Sequence, residues 1–594
     1  MQYDVSFGTL AKPARPPAPG QKFRLAVLGD FSGRANAGKL ATGAALGAAR
    51  PVKIDVDNLD DVIAKMRLTL NLDLTGDGQN VAVPIGGMDD FHPDQLAENL
   101  EFFGELMSLR RNLGSKAGFD RAAKQVLSWG GEAPLPPPPR QARGAVIAKD
   151  CKLSDFARLT GRKPSAEAAE HSADDLVRRL VGPFVQPARD ARQDQLIARV
   201  DEALSAAMRR VLHHPDFQAM EAVWRGVEFL VRRIETGARM EIVLYDVSAE
   251  ELAADLAATD TLGETGLYTL LAEAPRLDAH QGPFSAVLGL YGFELSPPHA
   301  DLLGRVAKIA AGAGAPFVAA IAPDALATPI HDQHPLIKEA WAALQDLQEA
   351  AYLGLATPRF LLRMPYGRKS DPIDAFAFEE FTRQSGLSGM LWGHPALLAG
   401  LLLAETFKQQ GAKMKPGSIA GIGDMPYYVY VDPDGDQTAL PCTERLYSER
   451  QAVLVSNYRV MPVLSLRGRP EVRLGGFAAL GGGTLAGFWA PVEIKPTPAP
   501  AAAALAPEPA APEAAAPAPE AAAGVTDADL DALLAGLETP AAEVAPEPEA
   551  AAEPAAADPM DDLDALLASL SAEPPPPAPD ATESDLDALL ASLK

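Results

Sequence analysis

Gly33, Gly38 and Lys39, inside LAVLGDFSGRANAGKL (25–40), have the spacing of a phosphate-binding loop. In such a loop successive backbone N–H groups surround a nucleotide's phosphates. That chemistry needs a strand running straight into the first glycine and a hydroxyl after the lysine for magnesium. Here the apolar run ends at Gly29-Asp30, Phe31 and Ser32 intervene, and Leu40 stands in the hydroxyl's place. No apolar strand ending in a magnesium-holding aspartate follows nearby. The expectation is accidental spacing in an Ala/Gly-rich loop.

Nine histidines raise metal chemistry next. His213 and His214 are adjacent, so on a helix they point about 100° apart and cannot ligate as an i, i+4 pair. His331 and His334 could share a face, but no carboxylate motif accompanies them. Asp432–Glu444, DPDGDQTALPCTE, resembles a calcium loop only loosely. Its glycine comes at the fourth position and its glutamate one residue late, so a polar hairpin turn is expected. Cys151 and Cys442, the two cysteines, offer neither a disulfide framework nor a zinc site and fit a reducing compartment. There is no Gly-x-Ser-x-Gly elbow and no paired Cys/His arrangement. The reading is therefore no catalytic residue, no cofactor-binding residue, no metal ligand and no cofactor: not an enzyme.

The elements that carry these residues read as an α/β protein. At 594 residues the chain has room for roughly three or four domains. Residues 1–22 form an N-terminal strand and Pro-rich arm. Residues 23–120 form a small α/β domain: a buried strand at Phe23–Leu28, a short strand and helix in VKIDVDNLDDVIAKM, and the alternating strand LTLNLDL. One helix then runs from Pro93, with Leu96, Leu100, Phe103, Leu106, Met107 and Leu113 as its apolar stripe. Residues 121–190, with GEAPLPPPPRQAR, form a partly disordered linker. A second body spans 191–491. Leu196, Ile197, Val200, Leu204, Met208 and Val211 recur at helical spacing. Pro215 stops that helix, Asp216 is placed to cap the next, and Phe217, Met220, Trp224, Val227 and Val231 resume the pattern. Strands are expected at Met240–Val247, Phe284–Leu290, Pro316–Ile321, Phe360–Met364 and Val460–Leu466, alternating with helices.

The longest apolar run, Gly389–Ala404, contains His394 and Pro395 and reads as a buried helix rather than a membrane span. The N-terminus carries no basic-then-apolar signal pattern, so a cytoplasmic location without direct membrane insertion is expected. Of the net charge of −26, most lies after Pro491, where about 21 acidic side chains face 2 basic ones. No basic run is concentrated anywhere, which argues against nucleic acid as a partner.

That Ala/Pro-rich acidic tail, 492–594, is expected to be disordered with short helices. It holds DLDALLAGL from Asp529 and DLDALLASL from Asp562 and Asp585. The spacings of 33 and 23 residues are too irregular for a solenoid. Each copy is two marginal helical turns with a leucine face: Leu530, Leu533 and Leu534; Leu563, Leu566 and Leu567; Leu586, Leu589 and Leu590. As docking peptides they would gain by multivalency; the alternative is helical texture in a spacer.

Two stretches resemble the two sheath subunits of the type VI secretion system, a phage-tail-like contractile machine. FRLAVLGDFSG, IDVDNLDDVIAKM and MDDFHPDQLAENLEFFGELMSLRRNL look like the small subunit. Asp30, Ser32, Gly33, Asp57, Asn58, Asp60, Asp61, Asp90, Phe91, Pro93 and Arg110 fit, with Leu59 replacing the usual phenylalanine. VLHHPDFQAMEAVWRGVEFLV resembles the large subunit through His213, His214, Pro215, Phe217, Gln218, Glu221, Trp224, Arg225 and Gly226. YDVSAEEL, RMPYGRKSD (with Pro365, Tyr366 and Gly367), FAFEEF, LWGHPALLAG and ERQAVLVSNYRVMPVL continue it in the family's order. On this resemblance Asp30–Gly33 is the turn after the small subunit's first strand.

The resemblance implies two sheath-type α/β modules packed as one protomer, with the signature residues in core or interface roles. It implies self-assembly with other sheath protomers, an inner tube protein, a baseplate and a recycling unfoldase ATPase. The family's large subunit continues beyond the region matched here with strands exchanged between neighbours. That portion is replaced by the Ala/Pro tail, so the matched part alone is a C-terminally truncated large subunit. Gln2–Gly8 could supply one donated strand. The leading expectation is a fused sheath subunit. The alternative is a sheath-derived adaptor or assembly regulator that recruits a partner through the tail peptides.

Overall fold

A computed structural model describes residues 6–10, 22–129 and 191–494, except Asp77, Lys116, Ala279, His280, Pro433, Asp434, Arg467 and Glu493. By its contacts the chain divides into Met1–Ala499 and Pro500–Lys594, and all described residues belong to the first unit. Of the linker expected over 121–190, residues 121–127 are helical with Ala122 and Val126 buried, while 130–190, Cys151 and the whole leucine-repeat tail lie outside the described residues.

The N-terminal module contributes β1 (Phe23–Gly29), α1 (Gly43–Gly47), β2 (Val52–Ile54), α2 (Leu59–Met66), the hairpin β3 (Leu68–Asp73) and β4 (Asn80–Ile85), and helices α3 (Pro93–Asn99), α4 (Glu101–Gly114) and α5 (Phe119–Leu127). The C-terminal module begins with the consecutive helices α6 (Ala191–Leu212) and α7 (Pro215–Arg233). Then come β5 (Met240–Asp246), α8 (Ala249–Ala257), β6 (Ala286–Phe293), α9 (Pro297–Ala313), β7 (Phe317–Ile321), α10 (Pro335–Asp346) and β8 (Leu353–Thr357). It closes with β9 (Phe360–Leu361), β10 (Trp392–Gly393), α11 (Pro395–Gln410), β11 (Gly421–Ile422), the hairpin β12 (Val429–Val431) and β13 (Gln437–Ala439), α12 (Glu449–Asn457), β14 (Met461–Ser465) and β15 (Val472–Leu474).

Nine strands form one sheet in the order β11-β15-β14-β8-β7-β6-β1-β5-β2. The position of β1 organises the molecule. It pairs in parallel with β5 from Phe23 opposite Met240 to Gly29 opposite Asp246. Its other edge pairs in parallel with β6, Leu25 opposite Ala286 through Leu28 opposite Gly289. A strand of the N-terminal module thus lies between two strands of the C-terminal module. Every residue of β1 is buried, as a near-continuous apolar run in a parallel sheet requires. Because side chains alternate across a strand, Phe23, Leu25 and Val27 enter the layer containing α7, α11 and the β3–β4 hairpin. Ala26 and Leu28 enter the opposite layer with α8, α9 and α10. The one charge on β1, Arg24, lies over the Phe284 ring at 4.6 Å and 3.4 Å from Glu241.

The α6–α7 pattern forms as the spacing predicts, with Leu196, Val200, Leu204, Met208, Val211, Phe217, Met220, Trp224, Val227 and Val231 all buried. Helix α11 is buried almost all round, and among the described residues no helix is long and apolar enough to cross a membrane. The single helix predicted from Pro93 is two, because Leu100 is extended (φ −100°, ψ 114°) and bends the chain between α3 and α4. Leu96, Leu100, Phe103 and Leu113 are buried, while Leu106 and Met107 are only partly covered. The strand predicted at Phe360–Met364 also differs. The sheet strand is β8, and Phe360–Leu361 lies outside that sheet, pairing with β10 and bridging to Thr443. LGLAT is buried on both faces, so it lacks the alternation that marks a strand and follows directly on helical text.

Residues 6–10 lie on α9. Phe7 and Leu10 fill recesses at Gly304 and Gly312, where side chains would collide with them. Lys308 Nζ donates to the Gly8 carbonyl at 2.6 Å and Thr9 bridges to Thr261.

Candidate functional site at the seam between the modules

The loop after β1 is where the two modules meet most closely. Gly33 has φ +70°, a conformation costly for other residues, and turns the chain beside Leu68 of β3. The loop's amides are taken within the same chain: those of Ala37, Gly38 and Lys39 by the carbonyls of Gly33, Ala35 and Arg34, and others by carboxylates. Asp246, at the end of β5, accepts from Phe31 N (2.9 Å), Ser32 N (3.2 Å) and Ser32 Oγ (2.7 Å). Asp30 accepts from Arg34 N and Ala35 N at 2.7 and 2.9 Å. Glu251 of α8 takes the Arg34 guanidinium at 2.6 and 2.8 Å and Ala41 N at 2.8 Å. Asp255 accepts from Gly43 N at 2.6 Å. Where a nucleotide loop presents N–H groups to phosphate, this one directs them to its own carbonyls, to Asp30 and to carboxylates of the C-terminal module, and Lys39 is exposed. Burial pushes the Asp246 carboxyl up despite its hydrogen bonds. Burial would also raise Glu251, but its bond to Arg34 wins and holds it below the usual range.

Trp224 closes this loop from α7. Its indole is fully buried, stacks edge-on with Phe31 and donates Nε1–H to the Phe31 carbonyl at 3.1 Å. Gly226 sits opposite Leu397, where an added Cβ would come within 2.5 Å of a methyl, so its lack of a side chain lets α7 approach α11.

A buried charge cluster lies on the other side of α7. Glu221 accepts from Arg225 Nε (2.9 Å) and from Arg363 Nε and Nη2 (2.7 and 3.1 Å). Arg363 also reaches Glu380 at 2.7 and 3.1 Å, and its guanidinium lies 4.1 Å above the Tyr366 ring. Arg225 Nη2 donates to the Tyr366 hydroxyl at 3.1 Å. Burial alone would raise the Glu380 carboxyl, but Arg363 brings it down to about 2. Burial pushes the Tyr366 hydroxyl up to about 12. Buried charges are stable only when paired this fully. The cluster pins α7 to the 363–380 segment, where Pro365 O accepts from Ser370 and Gly367 leaves room for Glu379.

The segment so pinned receives the N-terminal module. Asp94 of α3 accepts from the amides of Asp374 and Ala375, Phe103 stacks on Phe376, and Phe91 meets Phe217 edge-on at 5.7 Å. Arg110 pairs with Asp201 at 2.5 Å. Within the N-terminal module, Asp60 accepts from Met88 N and Asp90 from Gly86 N and Gly87 N. Asn58 accepts from Asp55 N.

Two of the four candidate histidines turn out to be helix caps. His214, not Asp216, caps α7; its Nδ1 accepts from Asp216 N, with Pro215 in the first helical position. His334 caps α10 in the same way, and His331 lies beside Asp332. His213 faces Glu380 at 3.6 Å. Among the described residues no group of three metal-binding side chains gathers. Asp432–Glu444 contains the expected hairpin turn, Asp436 N donating to Asp432 Oδ1 between β12 and β13. Buried Cys442 donates to the Arg469 carbonyl.

Sequence reasoning missed Asp246, Glu251, Arg363 and Glu380, though all four sit inside the quoted phrases YDVSAEEL, RMPYGRKSD and FAFEEF. The available signal was a charge set among apolar neighbours; their partners are 142 to 217 positions away or on other elements, as with Arg363–Glu221 and Arg34–Glu251.

Comparison with known proteins follows the same division. The family described as type VI secretion system, VipA, VC_A0107 or Hcp2 matches residues 19–126. The family VipB, described as EvpB/VC_A0108, tail sheath N-terminal domain, matches residues 194–474. The type VI secretion system sheath protein TssC1 of Pseudomonas aeruginosa is 29% identical over 337 residues, 53% of this chain and 68% of the relative. With models of both sheath proteins matching successive stretches of one polypeptide around a shared sheet, the chain belongs to the type VI secretion sheath family.

Proposed function

We propose that this chain is a structural, non-enzymatic sheath protomer in which the small and large subunits are joined covalently. The placement of β1 between β5 and β6 supports this reading most strongly. Neither module completes the central sheet without the other, so covalent joining fixes a one-to-one ratio and raises local concentration. The domain limits of 23–120 and 191–491, the signature residues as seam and core residues, and the cytoplasm as site of action belong to the same proposal. Its partners would be further copies of itself, assembled around an inner tube on a baseplate and recycled by a separate unfoldase ATPase.

Negative-stain microscopy of the purified chain tests this. Tubes or helical rows support the sheath protomer. Monodisperse particles under all assembly conditions speak for the second reading, an adaptor, which the three leucine-repeat peptides favour. Removing residues 495–594 then decides between them, because an adaptor loses its co-purifying partners and a sheath protomer retains its assembly.

A further inference from the structure

His92-Pro93-Asp94 and His214-Pro215-Asp216 place the same three residue types at the start of one helix in each module, α3 and α7. In both, the imidazole Nδ1 accepts from the amide of the aspartate two residues on, at 3.3 Å. In both, the aspartate then reaches across the seam. Asp94 Oδ1 accepts from Asp374 N at 3.0 Å and Ala375 N at 2.9 Å in the C-terminal module. Asp216 Oδ2 accepts from Asn36 Nδ2 at 3.0 Å in the N-terminal module. Asn36 in turn caps the edge of β3, exchanging hydrogen bonds with Asn71 N and O at 2.9 and 3.1 Å. The Phe91–Phe217 contact joins the two turns.

We propose that this reciprocal pair is a proton-operated clasp: neutral His92 and His214 leave the aspartates free to hold the opposite module, and protonation turns them back. An Nδ1 lone pair caps a helix only while unprotonated. An imidazolium sets an N–H against the amide N–H and puts a cation at the positive end of the helix dipole. At the first turn the ion-pair partner is the aspartate of the same turn, His92 Nδ1 already lying 3.5 Å from Asp94 Oδ2; at the second, His214 Nδ1 is bonded to the Asp216 amide and not to its carboxylate. Imidazole is the side chain whose charge ordinarily changes between pH 5 and 8.

The charges around the turns do not replace that response. His92 also meets the edge of the Tyr366 ring at 5.0 Å, and the Arg363 above that ring is neutralised by Glu221 and Glu380. At the second turn His214 bonds only the backbone amide of Asp216, and the adjacent His213 faces Glu380. Protonating His213 adds an attraction within the C-terminal module and leaves the seam bonds alone. The other two His-Pro turns lack the device. His334 is followed by Leu336 in place of the aspartate, and burial holds the His394 imidazole down at about 4.

Hydrogen exchange on the full chain tests the clasp between about pH 8 and about pH 5.5. After correction for intrinsic rates, the Asp374 and Ala375 amides should lose about fivefold or more in protection on acidification. The double variant His92→Asn, His214→Asn keeps a cap acceptor that cannot titrate, and should stay flat within about twofold. Wild-type protection that does not change with pH, or a double variant that follows the wild-type course, overturns the proposal. Imidazole C2-proton exchange in the wild type gives a variant-free check. The His92 and His214 midpoints must coincide with the loss of amide protection, and separated midpoints overturn it. The clasp rests on seam geometry and stands or falls independently of whether the chain forms tubes.

Discussion

Trp224 and Phe31 meet edge-on, ring centroids 5.4 Å apart, and the indole N–H of the first donates to the carbonyl of the second. One belongs to α7 and the other to the turn after β1, so a single side chain both packs the core and fastens the opposite module. Trp224→Phe keeps most of the packing and strands a buried carbonyl, which should cost about 1–3 kcal/mol. Trp224→Ala adds a cavity and should cost about 3–5 kcal/mol. Denaturant unfolding of the two variants, read by circular dichroism, checks the order and the gap.

Arg363 neutralises two buried carboxylates at once. Arg363→Met leaves Glu221 and Glu380 facing each other without their shared cation, and should lose about 3–5 kcal/mol at neutral pH. The sign with pH follows from Glu380. Its carboxyl lies at about 2 in the folded chain against 4.5 ordinarily, so it stabilises the fold above about 4.5, and that contribution fades as pH falls toward 2. In the variant the largest cause opposing burial is gone and the carboxyl rises. The difference between wild type and Arg363→Met should therefore narrow on acidification, as stability curves taken across that window will show.

His394 supplies a second acid-sensitive contribution, inside one module. Its Nδ1 accepts from Ala396 N and its Nε2 lies 3.0 Å from the Tyr291 carbonyl, so the neutral ring spans the start of α11 and the end of β6. Burial depresses its pKa from 6.5 to about 4. A depressed folded value means stability present above about pH 6.5 and lost as pH falls through about 4. His394→Asn retains the cap and should flatten that part of the curve; an unchanged slope would assign it to other groups.

Lys39 is exposed and the loop's amides already have partners, backbone carbonyls at Ala37–Lys39 and carboxylates at Phe31, Ser32 and Arg34. Lys39→Ala should leave both melting temperature and any nucleotide response unchanged, by thermal shift with and without ATP and magnesium.

Much of this was legible in the sequence because it is local. The 3.6-residue spacing of Leu196 through Val231 drew α6 and α7, and the Phe23–Leu28 run announced a buried strand. The neighbours of β1 were not legible. Nothing in FRLAVLG says that it will lie between strands whose paired residues are 217 and 261 positions onward, Phe23 opposite Met240 and Leu25 opposite Ala286 among them. The role of two histidines was hidden for a related reason. A His-Pro cap is visible only once the helix it starts is known, so His214 and His334, weighed as metal ligands and set aside, did not read as caps. Leu100 shows the reverse limit: its spacing was helical, and tertiary packing of α3 against α4 overrode it.

The shared sheet is most directly tested by cutting the chain. A protease site placed among Pro136–Pro139 separates the N-terminal module from the C-terminal one covalently while leaving every described contact intact. If β1 belongs between β5 and β6, the two fragments should remain together through gel filtration and unfold in one transition. Fragments that part after cleavage, each retaining its own secondary structure, would contradict the account.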